Sequence, residues 1–249
     1  MDLDDRLRLL ESCHDWQGLV DALEEAINGE LAPSARAHLH LRLARVLAGP
    51  LMQGARALKH FQDAFKLDAE LTEALSEARA VYWQLGKLPM VRRLLELQVQ
   101  RAKSQAEAAT LLIELGDVAT DQGDLDVASQ SYERAVEIAG ADAVDANERL
   151  RDLRVEEAGW QGRLQEIRES AERAEPAERA KSLVRAARVA RRYAPGDAEA
   201  LLEEAYAADP TRDDAATLYE GLLISQARED SIITLVMSSV GARMLPRPK

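Results

Sequence analysis

Apolar positions along this chain recur at helical spacing and are broken by short polar turns, with no alternating strand pattern of useful length. The clearest segment is 109–142, ATLLIELGDVATDQGDLDVASQSYERAVEIAGAD. Leu115 and Gly116 close one helical half, the turn Gly123-Asp124-Leu125 follows, and Ala128, Tyr132 and Ala135 stripe the second half. The same plan returns on a grid of roughly 34 residues. The position just after the inter-helix turn is Trp16, Gly54, Leu88, Leu125, Trp160 and Pro195, at spacings of 38, 34, 37, 35 and 35. Seven residues later stands a large apolar side chain each time: Leu23, Phe61, Leu95, Tyr132, Ile167 and Leu202. Three further on, Ala26, Ala64, Ala135 and Ala205 mark a place of close helix approach, while Gln98 and Ser170 break the column.

Local punctuation supports the grid. Ser104-Gln-Ala-Glu107 reads as a capping box, and Thr211 with Asp214 as a weaker one. Pro33-Ser34 and Pro195-Gly196-Asp197 read as turn-to-helix entries. These signals predict a single domain over 1–249, built of about seven helical hairpins at 1–33, 36–70, 72–104, 106–141, 144–176, 178–210 and 213–245.

On these residues the unit resembles the tetratricopeptide repeat, a helix–turn–helix module. Asp209-Pro210 falls where that family places its terminal proline. The resemblance implies an all-α fold, a right-handed α-solenoid of TPR-like hairpins, and protein binding in place of catalysis. The phrases DWQG at 15–18 and GWQG at 159–162 are also similar to repeats in very long multi-repeat scaffolds of gliding bacteria. Trp16 and Trp160 each open a second helix, and each is expected to wedge between the two helices of its own hairpin.

Composition narrows the picture. Apolar residues are 47% of the chain and aromatics 4%, so the core must be mainly Ala and Leu. A formal charge of −12 argues against nucleic acid, which needs clustered Lys and Arg. The single Cys13 permits no internal disulfide and fits a reducing compartment. MDLDDRLRLL lacks the pattern of a signal peptide, and no apolar run reaches the roughly 20 residues of a membrane span. A soluble cytoplasmic protein is expected.

Chemistry is sparse. His38 and His40 lie two apart on one helix and cannot share a metal. Cys13 and His14 are adjacent and point away from each other, and Cys13 is expected as a small buried hydrophobe. There is no Gly-rich phosphate loop, no His-Glu-x-x-His and no Cys pair. No catalytic, cofactor-binding or metal-binding residues are assigned, and no cofactor is expected. The family's carboxylate clamp for acidic chaperone tails is not matched: Arg42 fits one place, but Val46 stands for the partner Asn, and the third repeat offers Ser76 and Ala80.

The resemblance implies that first helices line a concave groove through places 2, 5, 9, 12 and 13 of each unit. In the third repeat these are Glu73, Ser76, Ala80, Trp83 and Gln84, with Trp83 facing the groove. In the fourth they include Asp117 and Asp121, and in the fifth Asp145, Glu148, Asp152 and Glu156. Six carboxylates would share one stretch with no Lys or Arg at those places, favouring a protein or peptide partner with a basic segment. Arg149, Arg151 and Arg154 are near enough in sequence to neutralise part of it. The expected function is a non-enzymatic interaction scaffold. The alternative is a self-assembling unit, or a piece of a longer repeat protein, acting through Ser231–Val240. There Ile232, Ile233, Leu235, Val236 and Met237 wrap most of the way around a helix, whereas a capping helix is polar outside. Either the natural chain continues past Lys249, or that side meets a partner or another copy, or residues 241–249 fold back over it.

Overall fold

A computed structural model describes residues 2–29, 31–226 and 231. Among them are thirteen α-helices, one 3₁₀ turn and no strand. In order these are α1 (Leu3–Ser12), α2 (Trp16–Ile27), α3 (Pro33–Ala48), α4 (Gly54–Leu67), α5 (Glu73–Gln84), α6 (Leu88–Gln100) and α7 (Gln105–Asp121). There follow α8 (Leu125–Ala139), the 3₁₀ turn (Gly140–Asp142), α9 (Val144–Leu153), α10 (Trp160–Glu172), α11 (Pro176–Tyr193), α12 (Pro195–Ala208) and α13 (Asp213–Ser225). The six grid positions are the first residues of α2, α4, α6, α8, α10 and α12. The apolar run after Ser231, with Ile232, Ile233, Leu235, Val236 and Met237, lies outside the described residues.

The helix starts have identifiable causes. Ser104 Oγ accepts from Glu107 N at 3.1 Å, and Glu107 returns the bond to the Lys103 N–H at 2.7 Å. Asp15 and Asp124 cap α2 and α8 by accepting from Gly18 N and Val127 N. Pro33, Pro176 and Pro195 open α3, α11 and α12, where the missing N–H costs nothing. The second expected box does not form: Thr211 Oγ1 donates to Asp209, and α13 begins without a side-chain cap from Thr211. Asp209 wins because it lies two residues back and accepts both the hydroxyl and the N–H of Thr211.

Four inter-helix turns place a left-handed residue two positions before the second helix: His14 (φ 56°), Met52 (φ 52°), Gly86 (φ 63°) and Gly123 (φ 81°). Two of the four are not glycine.

The chain divides into two compact units, Met1–Leu85 and Gly86–Lys249, and the expected third hairpin straddles the division. The first unit holds α1–α5, with Leu7, Leu19, Leu23, Leu43, Leu47 and Phe61 fully buried. In the second, Ala119, Ala128, Tyr132 and Leu150 join α7, α8 and α9. A larger cluster around Ile167, Leu183, Leu201, Leu202 and Leu223 joins α10 to α13. All six residues of the large apolar column are core, and Ala64, Ala135 and Ala205 are wholly buried. The columns are buried because a period near 34 residues returns each to the same inner face. No helix among the described residues is long and apolar enough to cross a membrane.

Candidate partner-binding site

Within the second unit, α7, α9, α11 and α13 are the first helices of their hairpins, and their charged side chains interlock. Asp117 on α7 accepts from the Tyr132 hydroxyl at 2.8 Å and from Arg149 Nε on α9 at 3.0 Å. Arg188 on α11 donates through Nε and Nη2 to the two oxygens of Asp121, each at 2.8 Å. It also lies 3.3 Å from Asp117 and 3.8 Å from Asp214 on α13. On α9, Asp152 accepts from Arg163 Nε at 2.6 Å and from Arg185 Nε at 2.8 Å. Glu148 accepts from Arg163 and Arg185, and Asp145 from Lys181 at 2.8 Å. Asp145, Glu148 and Asp152 thus form a stripe on α9, facing Lys181 and Arg185 from α11.

Five of the six predicted carboxylates are therefore ion-paired. The cations come mostly from the neighbouring helices α10 and α11, so an absence of Lys and Arg at the groove places themselves did not imply an uncompensated acidic stretch. Asp117, Asp121 and Asp152 are buried, while the Asp145 side chain stays 54% exposed. Glu156 is exposed in the loop after α9. Of the nearby arginines weighed from sequence, Arg149 serves Asp117, whereas Arg151 and Arg154 bond Glu166 and Glu133.

Burial sets the electrostatics. On its own it raises the Asp117 pKa, but Arg188 and Arg149 outweigh it and hold that carboxyl below its ordinary value. For Asp121, burial prevails over Arg188 and the pKa is raised. Burial also raises the Tyr132 phenol, with the Asp117 charge acting in the same direction, so Tyr132 remains a donor. Burial opposes ionisation of Glu148, yet its bonds to Arg163 and Arg185 lower its pKa. The cavity among Asp117, Tyr132, Arg149, Asp152 and Arg188 is about 20 Å³, the size of one water.

Trp83 lies on α5 in the first unit and is half-buried. Trp16 and Trp160 are half-buried too, and Trp160 packs against the core cluster of α10 to α13. Trp160 stacks on Tyr193 of α11, in the following hairpin, with ring centres 6.0 Å apart and planes 5° from parallel. Trp16 meets His14 edge-on at 5.4 Å. Cys13, expected to be buried, is exposed at the C-terminal cap of α1. Arg42 pairs with Glu11 on α1.

The α11 cations were missed from sequence, although Lys181, Arg185, Arg188 and Arg192 recur at helical spacing. Also missed was the grouping of His40, His60 and Asp63 in the first unit. Sequence spacing sets His40 beside His38, but His38 Nδ1 lies 2.9 Å from the Ser34 carbonyl, and the partner of His40 is 20 residues away.

No protein-family model matches this sequence. No curated protein matches it in sequence either. Its structure is similar to a tetratricopeptide repeat protein from Parabacteroides merdae at 14% identity, covering 96% of this chain and 91% of that one with a TM-score of 0.57. It is also similar to the C-terminal part of a TPR repeat-containing protein from Cytophaga hutchinsonii, at 15% identity, with 87% and 86% covered and a TM-score of 0.47. The helix grid and the first of these likenesses together give the conclusion that this chain has the tetratricopeptide-repeat fold.

Proposed function

We propose that this protein is a non-enzymatic interaction scaffold that receives a protein or peptide on the faces of its first helices. The observation that carries the reading is the row of charged side chains along α7, α9 and α11, pinned by ion pairs and so presented in one arrangement. Pre-organised side chains lose little entropy on binding, which favours recognition of an extended segment. Asp145 and Glu148 in the row, with Glu156 in the loop after α9, are the carboxylates a ligand can reach, and they favour Lys or Arg on that segment. Asp117, Asp121 and Asp152 act from beneath, holding Arg149, Arg163, Arg185 and Arg188 in register. In the first unit, Trp83 is the proposed aromatic anchor, as Trp is enriched among binding hot spots. A cytoplasmic setting belongs to the same proposal. Self-assembly through Ile232, Ile233, Val236 and Met237 is the second reading; it rests on the apolar run alone, and a strictly monomeric protein in light scattering removes it.

The test is fluorescence polarisation with matched basic and acidic peptides. Basic peptides should bind, weaken with salt, and associate more slowly with an Asp145→Lys/Glu156→Lys variant, since rim charges act mainly on the on-rate. Equal affinity for both peptide classes, or a salt slope untouched by the reversal, rejects the basic-ligand reading. Trp83→Ala should weaken binding while leaving the melting temperature nearly unchanged; a large loss of stability would make it a core residue.

A further inference from the structure

In the first unit, α3 and α4 bring His40 and His60 face to face. Their Nδ1 atoms are 3.0 Å apart and their rings lie 29° from parallel. Asp63 follows His60 by one helical turn, and a ligand atom from each of the three residues falls within 4.8 Å of the others. His40 is 9% exposed, whereas His60 and Asp63 are half-buried beside an open cavity of about 420 Å³. We propose that His40, His60 and Asp63 form a binding site for a divalent transition-metal ion of the zinc class, with the cavity supplying water as the remaining ligand.

The geometry is close to what such an ion needs. Zn–N bonds of about 2.0–2.1 Å in a tetrahedron put two nitrogens about 3.3 Å apart, so the imidazoles need open by only a few tenths of an ångström. Two imidazoles and one carboxylate form a borderline donor set that suits zinc and disfavours magnesium and calcium, which take oxygen ligands. A hydrogen-bonded histidine pair would need no third partner, yet Asp63 brings an anion to the same point. Without metal, one ring donates its Nδ1–H to the other. On binding, that ring carries its proton on Nε2 and offers Nδ1 to the ion. Burial lowers the pKa of both imidazoles, which keeps their lone pairs available near neutral pH. Arg56 and Lys59 line the same cavity and oppose a cation, whereas Glu24 on its wall favours one. The site is independent of the charged row on α7, α9 and α11, which lies in the other compact unit.

The experiment is titration of the full chain with zinc chloride, read by calorimetry, and with cobalt chloride, read by visible absorption. One zinc ion per chain should bind, with a cobalt d–d band and no response to magnesium. His60→Ala should weaken binding by about a hundredfold or more, and the milder Asp63→Asn by about tenfold, with helicity checked by circular dichroism. Cys13→Ser/His14→Ala should leave affinity unchanged. Failure of the wild-type chain to bind zinc, or binding that survives both His60→Ala and Asp63→Asn, overturns the proposal. So does binding abolished by the Cys13→Ser/His14→Ala change.

Discussion

Gly116 on α7 lies flat against the ring of Tyr132 on α8: a Cβ at residue 116 would fall inside contact distance of three ring carbons. Tyr132 has little freedom to retreat, because its hydroxyl donates to the buried Asp117. Gly116→Ala gains about 1 kcal/mol of helix propensity but forces overpacking that costs about 1–3 kcal/mol. Overpacking should win, and urea unfolding should show a lower midpoint with an unchanged slope. An equal or higher midpoint would mean that the two helices separate at little cost.

Arg188→Ala should be far more damaging than its surface count of charges suggests. It leaves Asp121, whose side chain has no exposed area, with only the longer 3.7 Å contact to Arg191, and removes one of the two arginines that hold Asp117. Leaving a buried charge without its partner costs about 3–5 kcal/mol. Arg188→Lys should fail to restore stability, since an ammonium cannot make the two-pronged bond. The double change Arg188→Leu/Asp121→Leu should recover most of the loss, because it leaves no orphan. A double variant as unstable as Arg188→Ala would show instead that the pair itself supplies the stability.

Acidification should unpick the lattice, with a sign fixed by Glu148. Its folded pKa is depressed, so its contribution is complete above the unfolded value near 4.3 and is lost as pH falls through the folded value. Thermal melts should decline gently as pH falls through the unfolded imidazole value near 6.5, because burial lowers the His40 and His60 pKa values, and steeply below about pH 4. Glu148→Gln should lower the melting temperature near neutrality and flatten the acid limb. An acid limb as steep as wild type would place the responsible carboxylates elsewhere.

Met52 is 62% exposed and sits at φ 52° in the turn before α4. A left-handed L-residue costs about 1–2 kcal/mol, while glycine costs about 0.5–1 kcal/mol in the unfolded chain. Met52→Gly should therefore stabilise by up to about 1 kcal/mol, measured by denaturant unfolding. His14→Gly should gain less, since it also removes the ring contact with Trp16. Destabilisation by Met52→Gly would mean that its side chain packs more than its exposure implies.

These residues also mark how far sequence reading reached. Second-helix starts were legible because a buried column must recur at the repeat period, and Leu23 to Leu202 could be aligned by eye. The left-handed turns at His14 and Met52 were not, since only glycine advertises that conformation. Charge pairing was hidden for another reason. Asp117 and Arg149, and likewise Glu77 and Arg45, are 32 residues apart, close to one repeat length, so they meet only after the repeats stack. Asp117, Asp145 and Asp152 therefore read as lone acids although each has a cation about one repeat away. His40 and His60 met for a similar reason, as two helices of one hairpin brought together positions 20 apart.

The bond from Arg188 to Asp121 spans 67 residues, about two repeat lengths, and reaches past the hairpin of α9 and α10. Repeat arrays in which every module touches only its immediate neighbours can gain or lose a module anywhere and remain sound. Here an internal duplication or excision between Asp121 and Arg188 would separate two buried partners joined by a two-pronged bond. The second unit is thus free to change length at its ends but not in its middle, and its inner hairpins should be inherited together as one indivisible block.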